Sequence, residues 1–356
     1  MPRGPRCWRL WWGPCPPWGQ GALGGSIWQD SALLPGSPAS PSWRRLARAA
    51  ELRPLSTFFV AIVTAANPAS PGHTFDTDGA IYMGARRDPA GCRVGLFGVP
   101  YDGTTSFRPG TRFGPAAIRE VSSGLETYCP QLNLDLEELA FADLGAVEIP
   151  FGAPEPVVAA VRSATTAVLD LGLAPLMLGG EHSISSGAVA AVAERHADLV
   201  LVQLDAHADL RQTWLGNQHS HACAMRRCLE VLPSGALLQI AIRSGTRVEF
   251  EELRQQRRLV PRPQMVAALQ ALRGQPLYLT VDLDWFDPAV LPGTGTPEPG
   301  GFLWADFAEL VAELRHHRLV GAYIVEQAPQ LDPSGVSSVL AAKVTRSLLL
   351  LLGAAA

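Results

Sequence analysis

Leu199-Val-Leu-Val-Gln-Leu204 runs without a break into Asp205-Ala-His207-Ala-Asp209. An almost wholly apolar run of six residues reads as a strand buried on both faces, the signature of a parallel sheet covered by helices. Outward from it the same alternation repeats. Val94–Val99, Leu139–Val147, Ala174–Leu178, Leu237–Ile242, Leu277–Val281 and Gly321–Val325 read as further strands. Pro115–Glu126, Pro156–Leu171, Ser183–His196, Ala222–Val231, Arg247–Arg257, Pro263–Arg273, Ala305–Arg315 and Ser334–Leu352 read as helices, with apolar residues recurring every three and four positions. The fold class is therefore α/β with a central, mostly parallel sheet, and in such sheets ligands collect at the carboxyl ends of the strands.

Those ends are where the charged residues fall. Asp205, His207 and Asp209 stand at i, i+2 and i+4, so an extended segment projects all three to one side. Leu277–Val281 ends in Asp282-Leu-Asp284, and Ala174–Leu178 ends in Gly179-Gly180-Glu181-His182-Ser183. A lone strand-end Asp is usually a helix cap. Two carboxylates about 4 Å apart, however, repel by roughly 4 kcal/mol at an effective dielectric of about 20, and four of them call for cations. Oxygen and imidazole donors without thiolate favour Mn²⁺ or a similar divalent ion, and the ligand count suits two ions better than one. Such a pair lowers the pKa of bound water and supplies a nucleophile at neutral pH. With two divalent ions and one hydroxide, the site keeps a net negative charge and suits a cationic substrate.

Composition narrows the rest. The chain has 356 residues, 47% hydrophobic and 17% charged, with formal charge −4, enough for one large core. No Lys/Arg run exceeds a pair, which excludes a nucleic-acid funnel. The apolar stretches at Thr57–Ala66 and Leu348–Leu352 are shorter than the roughly 20 residues that cross a bilayer, so no membrane span is expected. Scattered cysteines without a C-x-x-C pair point to a reducing cytoplasm. Arginine outnumbers lysine 28 to one, which we read as base-composition bias. Residues 1–90 differ in kind: six of the nine tryptophans lie in the first 43 positions among Pro and Gly, without a core-building period. Three readings stay open for this extension: an appendage, a targeting segment, or an upstream stretch foreign to the working protein with a start near Met83. The catalytic domain is expected over residues 91–356.

Taken in order, Gly98-Val-Pro-Tyr-Asp102-Gly through Arg112-Phe-Gly-Pro115, Gly179-Gly-Glu-His182-Ser, Asp205-Ala-His207-Ala-Asp209, Ser220-His221-Ala, Asp282-Leu-Asp284-Trp-Phe-Asp287-Pro, Pro292-Gly-Thr-Gly-Thr-Pro-Glu298 and Ile324-Val-Glu326 resemble the successive signatures of the ureohydrolases, the agmatinases, arginases and relatives. The resemblance spans about residues 93–352. It implies a three-layer αβα fold, two Mn²⁺ ions per subunit, and hydrolysis of a guanidinium group to urea and an amine. It places one ion on His182, Asp205, Asp209 and Asp282 and the other on His207, Asp205, Asp282 and Asp284, with a hydroxide between the ions as nucleophile. By the same resemblance Glu326 positions the guanidinium, His221 shuttles the proton, and the chain assembles as a trimer or hexamer.

The segments Gly-Thr-Gly-Thr-Pro297 and Ser220-His-Ala-Cys-Ala-Met-Arg-Arg227 look most like agmatinases. Arginases need a Ser/Thr/Asn-rich loop for an α-carboxylate, whereas Arg211–His219 holds only Thr213 and Asn217 of that kind, with bulky Trp214. Agmatine, cleaved to putrescine and urea, is the expected substrate. Guanidinobutyrase, arginase or formimidoylglutamase activity is the alternative, as is a non-catalytic guanidinium binder, while the doubled Asp pairs disfavour a one-zinc deacetylase. Trp285, Phe286 and Gln327 depart from the family's usual residues. Of the remaining polar residues, Asp287 before Pro288 reads as a turn, Asp143 as a strand-end cap, Cys223 and Cys228 as core, and His316-His317 as solvated, while His219 reads as an exposed loop residue and a weaker candidate than His221 for the proton shuttle.

Overall fold

Strands with no polar face must be covered on both sides, and amphipathic helices supply the cover. The computed structural model describes residues 75–354. The tryptophan-rich segment, the Thr57–Ala66 stretch and Cys7 and Cys15 lie outside the described residues. Within them the strands are β1 (Phe75–Asp76), β2 (Val94–Val99), β3 (Tyr128–Cys129), β4 (Leu134–Asp135), β5 (Phe141–Val147), β6 (Ala174–Gly179), β7 (Val200–Leu204), β8 (Leu237–Ile240), β9 (Leu259–Val260), β10 (Pro276–Asp282) and β11 (Arg318–Val325). The helices are α1 (Gly114–Ser122), α2 (Pro154–Asp170), α3 (Ser185–Ala193), α4 (Ala224–Cys228), α5 (Arg247–Gln255), α6 (Met265–Gln270), α7 (Trp304–Leu314) and α8 (Val336–Ala354).

Nine strands form one sheet in the order β1-β5-β2-β6-β11-β10-β7-β8-β9, parallel throughout except for β1, and β3 and β4 make a separate small hairpin. Every residue of β2, β7 and β10 is buried, as both-face coverage requires. One helical group packs α2 on α3 and α3 on α4; the other packs α1 on α8, with α7 touching α8 and α6. The result is a three-layer α/β architecture. Helix α8 is long and apolar enough to cross a membrane by composition, yet it is mostly buried, packing on α1 and β11 as a core helix.

All seven expected strands and eight expected helices form, with ends moved by a few residues. The predicted helix Ser183–His196 opens as a 3-10 turn at His182–Ile184 before α3, and Ala222–Val231 shortens to α4. Missed were β1, β9 and the hairpin, each strand only two residues long and so without readable alternation. Two polar assignments change. Asp143 is not a cap: it is fully buried, holds Arg119 through two hydrogen bonds of 2.8 Å, and accepts the Tyr82 and Gly145 N–H groups. His317 is buried rather than solvated, its Nε2 lying 3.2 Å from Glu313 Oε1, while His316 is exposed. Residues 75–90 pack on the sheet: β1 pairs with β5, and the buried Tyr82 donates its hydroxyl to Ala342 O at 2.6 Å.

Candidate metal centre

The strands β6, β11, β10 and β7 are parallel neighbours, so their carboxyl ends meet at one edge. In register, Leu204 lies beside Val281 and Val325 beside Asp282. Asp205, Asp282 and Glu326 are thereby adjacent. The turn after β6 adds Glu181 and His182, and it fits only because Gly180 has no side chain: a Cβ there would stand 1.8 Å from Tyr101 O. Two of these turns hold non-glycine residues in the left-handed region, Asp209 at φ 53° and Glu326 at φ 67°. Such strain clusters at functional sites.

His182 is buried and its ring Nδ1 faces three carboxylate oxygens: Asp209 Oδ2 at 2.9 Å, Asp205 Oδ2 at 3.1 Å and Asp282 Oδ2 at 3.2 Å. Its Nε2 lies 3.1 Å from Thr280 Oγ1, which orients the ring, while Nδ1 makes no hydrogen bond. A second set brings His207 Nδ1 to 2.8 Å from Asp284 Oδ2 and 3.7 Å from Asp205 Oδ1. The ligand atoms of His182, Asp205 and Asp282, and those of Asp205, His207 and Asp284, lie within 4.8 Å of one another in each set, with Asp205 common to both. Asp282 belongs to the first set, while its Oδ1 accepts the Asp284 N–H at 2.9 Å.

Burial, then Asp284 and Asp209, push the Asp205 carboxyl up to about 7, and burial with Asp284 and Asp205 drives Asp282 well above the ordinary range. Burial opposes a charged His207, but Asp284 overcomes it and raises the imidazole to about 11. Without cations the cluster resists full ionisation; with divalent cations all four carboxylates can be charged. The unpartnered Nδ1 of His182 and an oxygen-and-imidazole donor set fit two hard or borderline divalent ions.

A cleft of about 270 Å³ opens over this cluster, with Glu326, His221, Arg211, Trp214 and Glu249 in its walls. Glu326 accepts the His182 N–H at 2.7 Å, and burial followed by Glu181 raises its carboxyl well above the usual range. His221 is held at both ring nitrogens by hydroxyls, Thr104 Oγ1 at 3.3 Å from Nδ1 and Ser106 Oγ at 3.2 Å from Nε2. The Thr104 hydroxyl donates to Glu181 Oε1 at 2.5 Å, so it accepts from Nδ1–H and leaves Nε2 as the working nitrogen beside the cleft. Glu181 is otherwise filled by Thr104 N–H, Thr105 and Ser183.

Six of the eight predicted site residues therefore line one cleft, and Asp205 and Asp284 join them through the buried ligand sets. His219 stands apart, lining a groove with α2 and α3 residues instead. Trp285, Phe286 and Gln327 are buried away from the cleft, Trp285 stacking on Phe302 at 4.3 Å and Gln327 bonding Ser338. Asp287 caps a turn through the N–H groups of Ala289, Gly300 and Gly301. Cys223 and Cys228 are buried. Sequence reading missed Thr104, Ser106, Thr280, Gln203 and Arg243, which support the site from loops or strand interiors; Arg243 ties the Asp284 and Glu298 carbonyls together at 2.6 and 2.7 Å. Gln203 alone carried a signal, as the one polar residue of its strand.

The arginase family model matches residues 92–351. The chain is 38% identical over 263 residues to an agmatinase of Bacillus anthracis, covering 72% of this chain and 91% of that protein. It is 34% identical over 273 residues to a human mitochondrial guanidino acid hydrolase, covering 72% and 77%. Among solved structures, the agmatine ureohydrolase of Thermoplasma volcanium superposes with a TM-score of 0.69 at 34% identity, over 77% of this chain and 94% of that one.

Proposed function

The chain belongs to the arginase family and is a hydrolase of guanidino carbon–nitrogen bonds, and from that premise we propose that agmatine is its substrate, cleaved to putrescine and urea. The observation that carries this choice is the loop Arg211–His219. From this loop Arg211 and Trp214 line the cleft and Thr213 and Asn217 do not, so its hydroxyl and amide stand away from a bound substrate. Similarity to agmatinases supports the same reading.

In this reading His182, Asp205, Asp209 and Asp282 hold one Mn²⁺, and His207, Asp205, Asp282 and Asp284 hold the other. When bound, the pair supplies Lewis acidity and a water of lowered pKa. The Glu326 carboxylate and the surrounding acidic cluster draw the guanidinium carbon into place. Addition of water to that carbon and rupture of its bond to the alkyl nitrogen release urea and the amine, which must gain a proton. His221, with Nδ1–H anchored on Thr104, takes up at Nε2 the proton that the added water gives up and passes it to the leaving amine. The four described cysteines are free, which suits a reducing compartment, and assembly as a trimer or hexamer follows by family likeness.

One observation favours a second reading. Arg211 lines the cleft with its guanidinium 4.2 Å from the Trp214 ring and makes no ion pair among the described residues, which suits the carboxylate of a guanidino acid. The full chain charged with Mn²⁺ should release urea from agmatine far faster than from 4-guanidinobutyrate or arginine. Faster release from 4-guanidinobutyrate would transfer the assignment to the second reading, and no urea from any of them with two ions bound per chain would overturn both.

A further inference from the structure

Gln203 stands two residues before Asp205 on the same face of β7, and in register with Gln239 of β8. Both side chains are fully buried. Gln239 Nε2 donates to Gln203 Oε1 at 2.6 Å and to Ala208 O at 2.9 Å. Gln203 Nε2 in turn donates to Asp205 Oδ2 at 2.6 Å and to His207 O at 3.3 Å. The direction of this chain is forced: Ala208 O, His207 O and the Asp205 carboxylate are all acceptors, so each amide must turn its NH₂ toward them.

The arrangement carries a cost that packing alone does not explain. Gln239 Oε1 is left buried without a partner, and two apolar residues of similar shape would avoid that penalty. What the pair does is fix a carboxylate. Asp205 Oδ2 takes the Gln203 amide while Oδ1 takes the His207 N–H at 2.5 Å, so two donors hold the carboxylate plane and each oxygen keeps a lone pair for a cation.

We propose that Gln203 and Gln239 are positioning residues, an oriented amide relay that presets Asp205 as the ligand shared by both metal sites. The inference rests on the reading of Asp205 as a metal ligand. Outer partners of this kind typically change metal affinity 10- to 100-fold.

The test is Mn²⁺ titrated calorimetrically into the chelator-stripped full chain, with thermal unfolding of the metal-free protein measured beside it. Gln203→Met should weaken Mn²⁺ binding about 10- to 100-fold while the metal-free unfolding midpoint stays near that of the unaltered chain. Gln239→Met, one step further out and less disruptive, should weaken it by a smaller factor, and it keeps the proposal testable if the first variant does not fold. Unchanged Mn²⁺ affinity in Gln239→Met, or a fall in metal-free stability with unchanged affinity in Gln203→Met, overturns the relay. Asp205→Asn separates the two levels: if it binds Mn²⁺ normally, the ligand reading itself fails, whereas lost binding there with normal binding in the glutamine variants sinks the relay alone.

Discussion

Asp205→Asn should make the metal-free protein more stable at pH 8 while abolishing its response to metal. In the cluster without cations, burial and the neighbouring Asp284 and Asp209 raise the Asp205 carboxyl from 3.8 to about 7. Below pH 3.8 the folded and unfolded chains both hold that proton. Between 3.8 and about 7 only the folded chain holds it, so stability falls as pH rises, and above 7 the loss is complete. Three pH units at about 1.4 kcal/mol each give a loss of about 4 kcal/mol. Asparagine does not titrate and escapes this loss. Its amino group meets the Gln203 NH₂ where a carboxylate oxygen stood, which costs about 1–3 kcal/mol. The net gain at pH 8 is about 1–3 kcal/mol, and at pH 4 the order inverts. Urea denaturation followed by circular dichroism, with chelator present and protein concentration fixed because assembly shifts midpoints, measures both ends. Excess Mn²⁺ should then raise the midpoint of the unaltered chain alone. A variant less stable by the same margin at pH 4 and pH 8 would refute the like-charge reasoning.

Three further outcomes follow from the described geometry. His221→Ala should keep the Mn²⁺ content of the unaltered chain and slow urea release about 10²- to 10⁴-fold; normal turnover would remove His221 as the proton donor. Asp143→Ala strands the buried Arg119 cation and should cost about 3–5 kcal/mol in denaturant unfolding, and a loss under about 1 kcal/mol would show the pair to be dispensable. Burial pushes the Cys228 thiol up to about 12, so iodoacetamide at pH 8 should leave it unlabelled in the native protein and label it after unfolding, as mass spectrometry would read; rapid native labelling would contradict its place in the core.

What was legible in the sequence depended on length and on position along a strand. Mostly apolar runs of five or more residues announced β2, β5, β6, β7, β8, β10 and β11, and the charged residues at or just past the ends of β6, β7, β10 and β11 announced the centre. The sheet order was not legible, because it is set by crossovers between strands far apart in the chain, so nothing local said that β11 would lie between β6 and β10. Glu326 could be placed only by family likeness, since a single acid after a strand looks like a cap. Thr104 and Ser106, in the loop after β2, gave no signal, because their role comes from His221 arriving beside them from 117 and 115 residues away. Asp143 misled because burial inverted its meaning: the same strand-interior acid that looks like a cap becomes half of a core ion pair when Arg119 of α1 reaches it.

Both outer strands of the nine-stranded sheet, β1 and β9, are two residues long, and β1 runs against the direction of the others. A long, flat, apolar margin on such a sheet would be a template on which another chain could grow by backbone pairing, and a stub bearing Asp76 offers almost none. The interior strands, mostly apolar and buried, are the very segments that would polymerise if uncovered. Conditions that loosen these margins are therefore the ones that should bare the interior strands to pairing with other chains.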